Sequence, residues 1–364
     1  DPATTASYTL SLHDALPILM AMVMVFGLAA CGGSSEPAAE GDTAEGGAGG
    51  KIGVSMPTQS LQRWNQDGSN MKAELEAAGY EVDLQYAGDN DIPTQVSQIE
   101  NMIAGGCEVL VVAAIDGSSL TTALQGAAEK GIPVIAYDRL IMDSEAVSYY
   151  ATFDNYKVGQ MQGQYIVDAL DLENAEGPFN IELVTGAPDD NNVNFFFGGA
   201  MDVLQPYIDS GKLVVPSGQT EKAQCATANW STEEAQKRFE NIISSVGYGP
   251  NGVKLDAVLC SNDSTSYGVQ NALQAAGYTA DNMPIITGQD CDKPNVKNIV
   301  SGLQSMSVFK DTRTLAEKVV GMVDAIMKGT EPEINDTETY DNGTDRKSTR
   351  LNSSHPSISY AVFC

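Results

Sequence analysis

The sequence predicts an α/β protein built from two lobes, each containing a doubly wound parallel sheet. Short apolar runs alternate with amphipathic stretches from residue 51 onward, which is typical of strands and helices that follow one another in a parallel sheet. The pattern starts again after residue 155, which indicates a second lobe of the same design. A chain of 364 residues with 42% hydrophobic residues is long enough to bury two cores.

In the first half, the apolar runs predict strands over residues 52–56, 81–87, 108–115 and 132–138. Helices are predicted over residues 65–78, from 92 onward, and over 119–130. The second of these helices carries Ile92, Val96, Ile99 and Ile103 at helical steps, which places them on one face. A strand-like crossover is expected near Asp154, because no Pro, Gly or Ser linker separates the halves there.

The second half repeats the alternation after a helix that extends to residue 170. Strands are predicted over residues 179–186, 212–218, 255–263 and 283–290. Helices are predicted over residues 195–208, 231–246 and 265–276. A short helix beginning at Pro294 and a final helix over 314–328 complete the body of the chain.

Both ends of the chain differ in character from its body. Residues 1–17 have no initiating Met, and residues 346–364 carry no acid in an otherwise acidic protein, so both are expected to be non-native. Residues 18–31 resemble a bacterial lipoprotein signal, in which an apolar run precedes LAACG; the resemblance implies cleavage before Cys31 and its acylation. A leader cleaved at a small-residue site without a lipid is the alternative. Residues 32–50, rich in Gly, Ala, Ser and Glu, predict a disordered tether.

Charge and histidine content exclude several classes of function. The 20 Lys and Arg against 48 acids give a net charge of -28, whereas nucleic-acid binding needs clustered basic residues. The sequence has only His13 and His355, both in the end segments, so the body lacks a His-based nucleophile and a His metal ligand. We therefore expect no metal and no cofactor, and only carboxylate chemistry remains open.

The body of the chain contains Cys107, Cys225, Cys260 and Cys291. None of them has the CxxC spacing of zinc and redox sites. Cys260 and Cys291 each end a predicted strand, and an exported protein could join them in a disulfide or keep two separate buried thiols.

Polar side chains follow the predicted strands of both halves. Asp138 and Arg139 end an apolar strand, and together they can accept hydrogen bonds from neighbouring hydroxyls and donate to them. Because the carboxyl ends of parallel strands meet at one edge of a sheet, we expect the polar strand ends to converge on a cleft. The further candidates are Gln59, Arg63, Trp64, Asp116, Asp189, Asp190, Asn191, Asn192, Asn262, Asp263 and Asp290. Trp64, with Trp230 or Phe195, would supply an aromatic surface for a sugar ring.

Several of these residues also have a purely structural interpretation. Asp138 and Arg139 could form a surface salt bridge at a strand end. Asp190 could cap the helix that follows it, and Asp116 could belong to a simple turn.

Several stretches of the body resemble the periplasmic sugar-binding proteins of ABC importers, the family that includes ribose, xylose, galactose and glucose receptors. The likeness is strongest to multiple-sugar-binding receptors for aldoses. The run from VIAYDRL to SYYATFDN is the most specific, and MPTQSLQRW, AAIDGSS, GPFNIELVTGAPDDNN, CSND, ITGQD and VFKDTRTLAEKVV also match. The resemblance extends over residues 51–345.

This resemblance implies a type I periplasmic binding protein fold whose chain crosses three times between lobes. The crossovers are expected near Asp154, near Gln304 and over residues 336–340. The first lobe would then contain residues 51–154 and 305–335, and the second 155–304 and 336–345. The family continues with a further strand, so we expect the second lobe to be truncated and to have an unpaired sheet edge.

The resemblance also implies ligand-binding roles, position by position. The residues implied are Arg63, Asp116, Asp138 and Arg139 from the first lobe, Asn192 with Asn191 or Asp190 beside it, Asn262 and Asp290 from the second, and Lys310 at the second crossover.

The expected function is that of a monomeric, lipid-anchored extracytoplasmic receptor. It would close around a monosaccharide of the xylose, glucose and galactose class and pass it to an ABC permease. Presentation of the closed form to a chemoreceptor or a sensor kinase is compatible with this function. The alternative is a carbohydrate-active enzyme that uses carboxylates only, which would need an acid and a base placed across a glycosidic bond.

Overall fold

The computed structural model describes residues 49–344, in which strands and helices alternate as the sequence predicts. The predicted leader, the lipoprotein signal with Cys31, most of the tether and the predicted tail lie outside the described residues. Each helix within residues 49–344 is too short or too polar to cross a membrane.

The first sheet has five parallel strands in the order β2-β1-β3-β4-β5. Its elements are β1 (Lys51–Met56), α1 (Gln62–Ala77), β2 (Glu81–Tyr86), α2 (Ile92–Ala104), β3 (Val109–Val112), α3 (Thr121–Glu129), β4 (Val134–Tyr137) and β5 (Val147–Ala151). Because β1 lies between β2 and β3, the strand order reverses there, and α/β proteins bind ligands at such switch points.

The second sheet has four parallel strands in the order β7-β6-β8-β9. Its elements are α4 (Asn155–Ala169), β6 (Phe179–Val184), α5 (Asn192–Asp209), β7 (Leu213–Val214), α6 (Lys222–Cys225), α7 (Thr232–Val246), β8 (Ala257–Cys260), α8 (Asp263–Ala275), β9 (Ile285–Ile286) and α9 (Lys293–Val300). The two parallel sheets confirm the predicted fold class. α6 and the 3₁₀ turn Ala228–Trp230 were not predicted.

Both sheets are buried on their two faces. Along β3, Val109 and Val111 belong to one core cluster, while Leu110 and Val112 belong to another. This alternation follows from the two-residue period of a strand, and it explains why the strand is apolar throughout.

The last described helix, α10 (Thr312–Met327), returns to the first lobe. Its Leu315, Val319 and Val323 are buried in the same core cluster as Met71 and Leu75 of α1. The Asp311 side chain accepts a hydrogen bond from the backbone N–H of Arg313 at the start of this helix. The first lobe is therefore built from two separate stretches of the chain.

The second crossover lies later than the sequence predicts. Ser305 N donates to Ile286 O (3.0 Å), Val308 N donates to Gly288 O (3.0 Å), and Asp290 N donates to Val308 O (2.9 Å). Residues 305–308 therefore lie beside β9 in the second lobe, and the expected crossover near Gln304 is wrong by a few residues. The same bonds pair residues 305–308 with the outer edge of β9.

The segment that follows α10 also differs from the expectation, which placed residues 336–345 in the second lobe. The Tyr340 ring packs edge-on against the Tyr150 ring, with 5.1 Å between the ring centres. The Tyr340 hydroxyl donates to Phe153 O at 3.3 Å. Asn342 Nδ2 donates to Ser144 O at 3.1 Å. As far as residue 344, this segment packs mainly on the first lobe because its one large aromatic side chain fits into that core.

The cysteines of residues 49–344 are all free. Cys260 is buried, whereas Cys291 is partly exposed and its thiol lies 3.6 Å from Ser307 O. The disulfide considered between these two residues is therefore not formed. They are two separate thiols, as in the alternative interpretation, but only Cys260 is buried.

Candidate ligand-binding site

A small cavity lies between the carboxyl ends of the two sheets. Both lobes line it. The residues are Leu61, Arg63, Trp64, Asp138 and Arg139 from the first lobe, Asp190, Asn192, Phe196, Trp230, Asn262, Ser264, Gln289, Asp290 and Asp292 from the second, and Lys310 beyond residues 305–308.

Asp138 directly follows β4 and has a left-handed backbone with φ 60°. Its carbonyl oxygen accepts hydrogen bonds from Tyr150 Oη (2.9 Å), Thr152 Oγ1 (3.0 Å) and Asn192 Nδ2 (2.9 Å). These bonds hold a conformation that is uncommon for a residue other than glycine. They also fix the direction in which the carboxylate points, and Asn192 contributes its bond from the second lobe.

The Asp138 carboxylate is buried and accepts a hydrogen bond from Arg63 Nη2. Burial alone would raise its pKa, but the charges of Arg63, Lys310 and Arg139 outweigh burial and lower the pKa of Asp138. The group is therefore a charged acceptor at neutral pH.

Three acids surround the Arg63 guanidinium. Nε donates to Asp67 Oδ2 at 3.0 Å, Nη2 donates to Asp138, and Nη1 lies 3.7 Å from Asp290 Oδ1. Burial would lower the pKa of Arg63, but the charges of these acids outweigh it and raise the pKa. Asp67, which the sequence did not single out, lies behind Arg63 and also accepts a hydrogen bond from Tyr137 Oη. The orientation of the Arg63 guanidinium, a hydrogen-bond donor, is thus fixed by Asp67 on the side away from the cavity.

Arg139 connects the two lobes. Its Nη1 donates to the carbonyl oxygens of Ala114 (3.0 Å) and Ile115 (3.1 Å), which follow β3. Its Nε lies 3.1 Å from Asp190 Oδ2 in the second lobe. The guanidinium carbon also lies 5.1 Å from the ring centre of Trp64, within the range of a cation–π contact.

Asp190 bonds the backbone at the start of α5 and also lines the cavity. Its Oδ1 accepts a hydrogen bond from the backbone N–H of Asn192 (2.9 Å) at the start of α5. Its Oδ2 accepts from Trp230 Nε1 (3.1 Å) and pairs with Arg139, and the residue lines the cavity. Asp190 thus contacts the first turn of α5, whose N-cap residue is Asn191, and also belongs to the cavity wall.

Asn262 and Lys310 complete the polar wall from the second lobe and the crossover. Asn262 Oδ1 accepts from Thr265 N (3.0 Å) at the start of α8, which leaves its amide nitrogen for the cavity. Lys310 is 3% exposed, and its Nζ lies 2.9 Å from Asp290 Oδ1 as an ion pair without hydrogen-bond alignment. The ring centres of Phe153 and Phe196 lie 5.6 and 5.5 Å from the same Nζ.

Asp292 lies next to these charges and was not predicted to line the cavity. Burial and the charge of Asp290 raise the pKa of Asp292 to about 7, against the opposing effect of Arg63 and Lys310. Its backbone N–H donates to Asp263 Oδ2 at 2.8 Å. Asp263 is fully buried behind the wall, and burial raises its pKa well above the usual value of a carboxyl group.

Most of the predicted site residues meet in this cavity, but Asp116 and Asn191 do not. They line a separate cavity together with Asp189 and Lys222. Asp116 Oδ1 accepts from Ser118 N (2.7 Å), as expected of a residue in a turn. Gln59 does not line the cavity and is exposed.

The aromatic residue that α5 contributes is Phe196, not Phe195. Consecutive residues of a helix point about 100° apart, so the two side chains face different surroundings. The ring centres of Phe195 and Tyr340 lie 4.9 Å apart, whereas the ring centres of Phe196 and Trp230 lie 6.1 Å apart. The apolar period of α5, counted from its first turn, could have distinguished them.

Each of three cavity acids has a cationic partner: Asp138 pairs with Arg63, Asp190 with Arg139, and Asp290 with Lys310. Such pairs offer acceptors and donors in fixed directions, with Trp64, Phe196 and Trp230 as apolar surfaces. The arrangement is suited to a small polyhydroxylated molecule, whose hydroxyls can both donate and accept.

Two parallel-sheet lobes with a polar cleft at their switch points define a two-lobed ligand-binding protein. The sequence profile of the periplasmic binding protein domain matches residues 52–331, and the chain belongs to this family.

Individual relatives support the same assignment. The chain is 53% identical over 294 residues to the multiple sugar-binding periplasmic protein SbpA of Azospirillum brasilense, covering 80% of this chain and 81% of that protein. It is 52% identical to the multiple sugar-binding periplasmic receptor ChvE of Rhizobium radiobacter, covering 81% and 82%. A solved ABC transporter solute-binding protein from Clostridium phytofermentans, with bound β-D-glucose, is 63% identical with a TM-score of 0.79, covering 83% of this chain and 91% of that one.

Proposed function

We propose that this protein is an extracytoplasmic receptor that captures one monosaccharide of the xylose, glucose and galactose class between its lobes. One observation carries the proposal: charged and amide side chains of both lobes surround a single cavity together with both tryptophans of the sequence. The printed names of the relatives support the sugar class, since they describe sugar-binding proteins and a structure with bound glucose.

The chemistry of the wall supports binding without conversion. The three ion pairs hold the carboxylates of Asp138, Asp190 and Asp290 as acceptors, and Arg63, Arg139 and Lys310 as donors. Apolar faces of Trp64 and Trp230 would pack against the C–H groups of a pyranose ring. We therefore propose a receptor and not an enzyme.

Lobe closure follows from the same contacts. A sugar that bonds Asp138 and Arg139 on one side and Asn262 on the other touches both lobes only when they are closed. Its free energy of binding therefore favours the closed form. Asn192, which donates to Asp138 O across the cleft, adds a direct contact between the lobes in that form.

We further propose that the receptor is a monomer anchored by a lipid on Cys31 and that its closed form delivers the sugar to an ABC permease. The apolar run followed by LAACG supports the anchor, and the solute-binding neighbour of an ABC transporter supports the delivery. Presentation to a chemoreceptor or a sensor kinase would use the same closed form. Replacing Cys31 with Ser should release the protein from the membrane fraction, which immunoblotting of fractionated cells would show.

Calorimetry on the full chain with xylose, glucose, galactose, arabinose and ribose tests the proposal. We expect one sugar to bind per chain, with a change in tryptophan emission because Trp64 and Trp230 both line the cavity. Incubation with a disaccharide should yield no monosaccharide. Absence of binding to every aldose, or release of product, would refute the proposed function.

A further inference from the structure

Gly186 lies two residues beyond β6, at the edge of the second sheet that faces the cleft. We propose that it is a specificity-determining residue, because its missing side chain sets how deeply the indole of Trp230 sits in the cavity wall. This inference rests on the proposed function, since it concerns the space that is left for a sugar ring.

The contact between the two residues is a face-on one. A Cβ added to Gly186 would lie 2.1 Å from Cη2, 2.2 Å from Cζ2 and 2.3 Å from Cζ3 of Trp230. Nearly equal distances to three adjacent ring carbons place that atom over the face of the six-membered ring. Since carbons in contact prefer about 3.5–4.0 Å, the ring would have to move by about 1.5 Å to make room.

The backbone at this position does not itself require glycine. Gly186 is not among the residues with positive φ, so alanine would meet no conformational penalty there. Thr227 N donates to Gly186 O (3.0 Å) and Thr185 N donates to Cys225 O (2.9 Å), which attaches the loop before Trp230 to this stretch. The indole is therefore what excludes a side chain.

Trp230 is held in a strained position. Its φ is 55° and that of Asn229 is 56°, a left-handed pair that is unusual for a bulky residue. Its Nε1 donates to Asp190 Oδ2 (3.1 Å), the atom that also pairs with Arg139 of the first lobe. A displaced indole would therefore disturb the ion pair that bridges the cleft.

One face of the indole is covered by Gly186, so Trp230 lines the cavity with its other face or its rim. Trp64 and Arg139 line the cavity from the first lobe. Moving the indole away from Gly186 would narrow the space between the lobes. A pyranose with only equatorial substituents, such as β-glucose, is thinner than galactose, which has one axial hydroxyl. The absence of a side chain at Gly186 therefore leaves room for sugars with an axial hydroxyl, such as galactose.

The first test compares Gly186→Ala with the wild-type full chain by calorimetry. We expect the affinity for glucose to fall at least tenfold and the affinity for galactose to fall further. Gly198→Ala is the matched control in the same lobe, since its added Cβ would lie 3.8 Å from Tyr156 and should leave both affinities unchanged. Unchanged binding by Gly186→Ala, or an equal loss for the two sugars, would overturn the inference.

The second test asks whether Gly186 acts through Trp230. In a Trp230→Ala background, adding Gly186→Ala should change the glucose affinity by less than twofold. An equal loss in both backgrounds would instead show distortion of β6 and overturn the inference.

A third measurement needs no sugar and so separates this inference from the proposed function. Trp64 and Trp230 are 3% and 5% exposed, so acrylamide should quench the unliganded wild type weakly. Gly186→Ala should be quenched more strongly because its indole is displaced. Unchanged quenching would overturn the inference even if the wild type binds no aldose.

Discussion

Replacing Asp138 with Asn removes one charge from the most constrained position of the cleft. Asn fits the left-handed backbone of this residue about as well as Asp, and the lowered pKa means that the wild-type group is charged at neutral pH. The Asp138 side chain is 3% exposed, so solvent cannot replace the lost charge beside Arg63. The substitution therefore tests the charge with little change in shape.

A hydrogen bond to a charged group contributes about 1.5–3 kcal/mol, which corresponds to a roughly 10- to 150-fold change in Kd. We expect a loss of glucose affinity in this range. Removing the partner of a buried charge lowers the free energy of unfolding by up to about 3–5 kcal/mol. Because the side-chain oxygen of the introduced Asn can still accept a hydrogen bond from Arg63, we expect a loss of stability near the lower of these values. Calorimetry and thermal unfolding of the same samples would give both values.

The matched control is Glu76→Gln, because Glu76 pairs with Lys72 at 2.7 Å on the exposed face of α1. An exposed pair of this kind contributes less than about 1 kcal/mol, so binding should be unchanged. If Asp138→Asn folds and binds glucose as tightly as the wild type does, the assignment of the cleft is wrong.

Three further outcomes follow from the structure. Asp67→Asn should weaken sugar binding about fivefold in calorimetry by loosening Arg63, as a loss of about 1 kcal/mol implies; an unchanged Kd would contradict this. Asp292 has a pKa raised from 3.8 to about 7 on folding, so it favours folding at low pH, and this stability is lost as the pH rises from about 4 to about 7. Between pH 5 and 8, the melting temperature of Asp292→Asn should therefore fall less than that of the wild type, and parallel curves would refute the shift. Finally, because Cys260 and Cys291 are free, a reducing agent should leave the melting temperature unchanged, whereas a drop would reveal a disulfide.

The sequence predicts the fold well because its signals are local. Strands such as β3 are apolar throughout, and α2 has a regular apolar face, so periodicity alone locates them. The residues of the candidate site were also largely identifiable, since Asp138, Arg139, Asn262 and Asp290 lie at or directly after the ends of predicted strands, and parallel strands end at one edge.

What the sequence could not predict depends on contacts between distant residues. Asp67 lies inside a helix, and only the fold shows that it supports Arg63 from behind. Phe196 could have been chosen over Phe195 from the apolar period of α5, but the predicted helix began at residue 195 and so left out its first turn. Tyr340 follows a segment without periodicity, so its place against Tyr150 depends on tertiary packing alone.

The return of α10 to the first lobe has a consequence for synthesis on the ribosome. The core around α1 lacks Leu315, Val319 and Val323 until those residues have left the exit tunnel. The stretch from α4 to residue 308 already contains a whole sheet with its covering helices. The second lobe can therefore fold while the first lobe, although translated earlier, still lacks α10. A chaperone that binds nascent chains would accordingly be needed for the longest time by the first lobe.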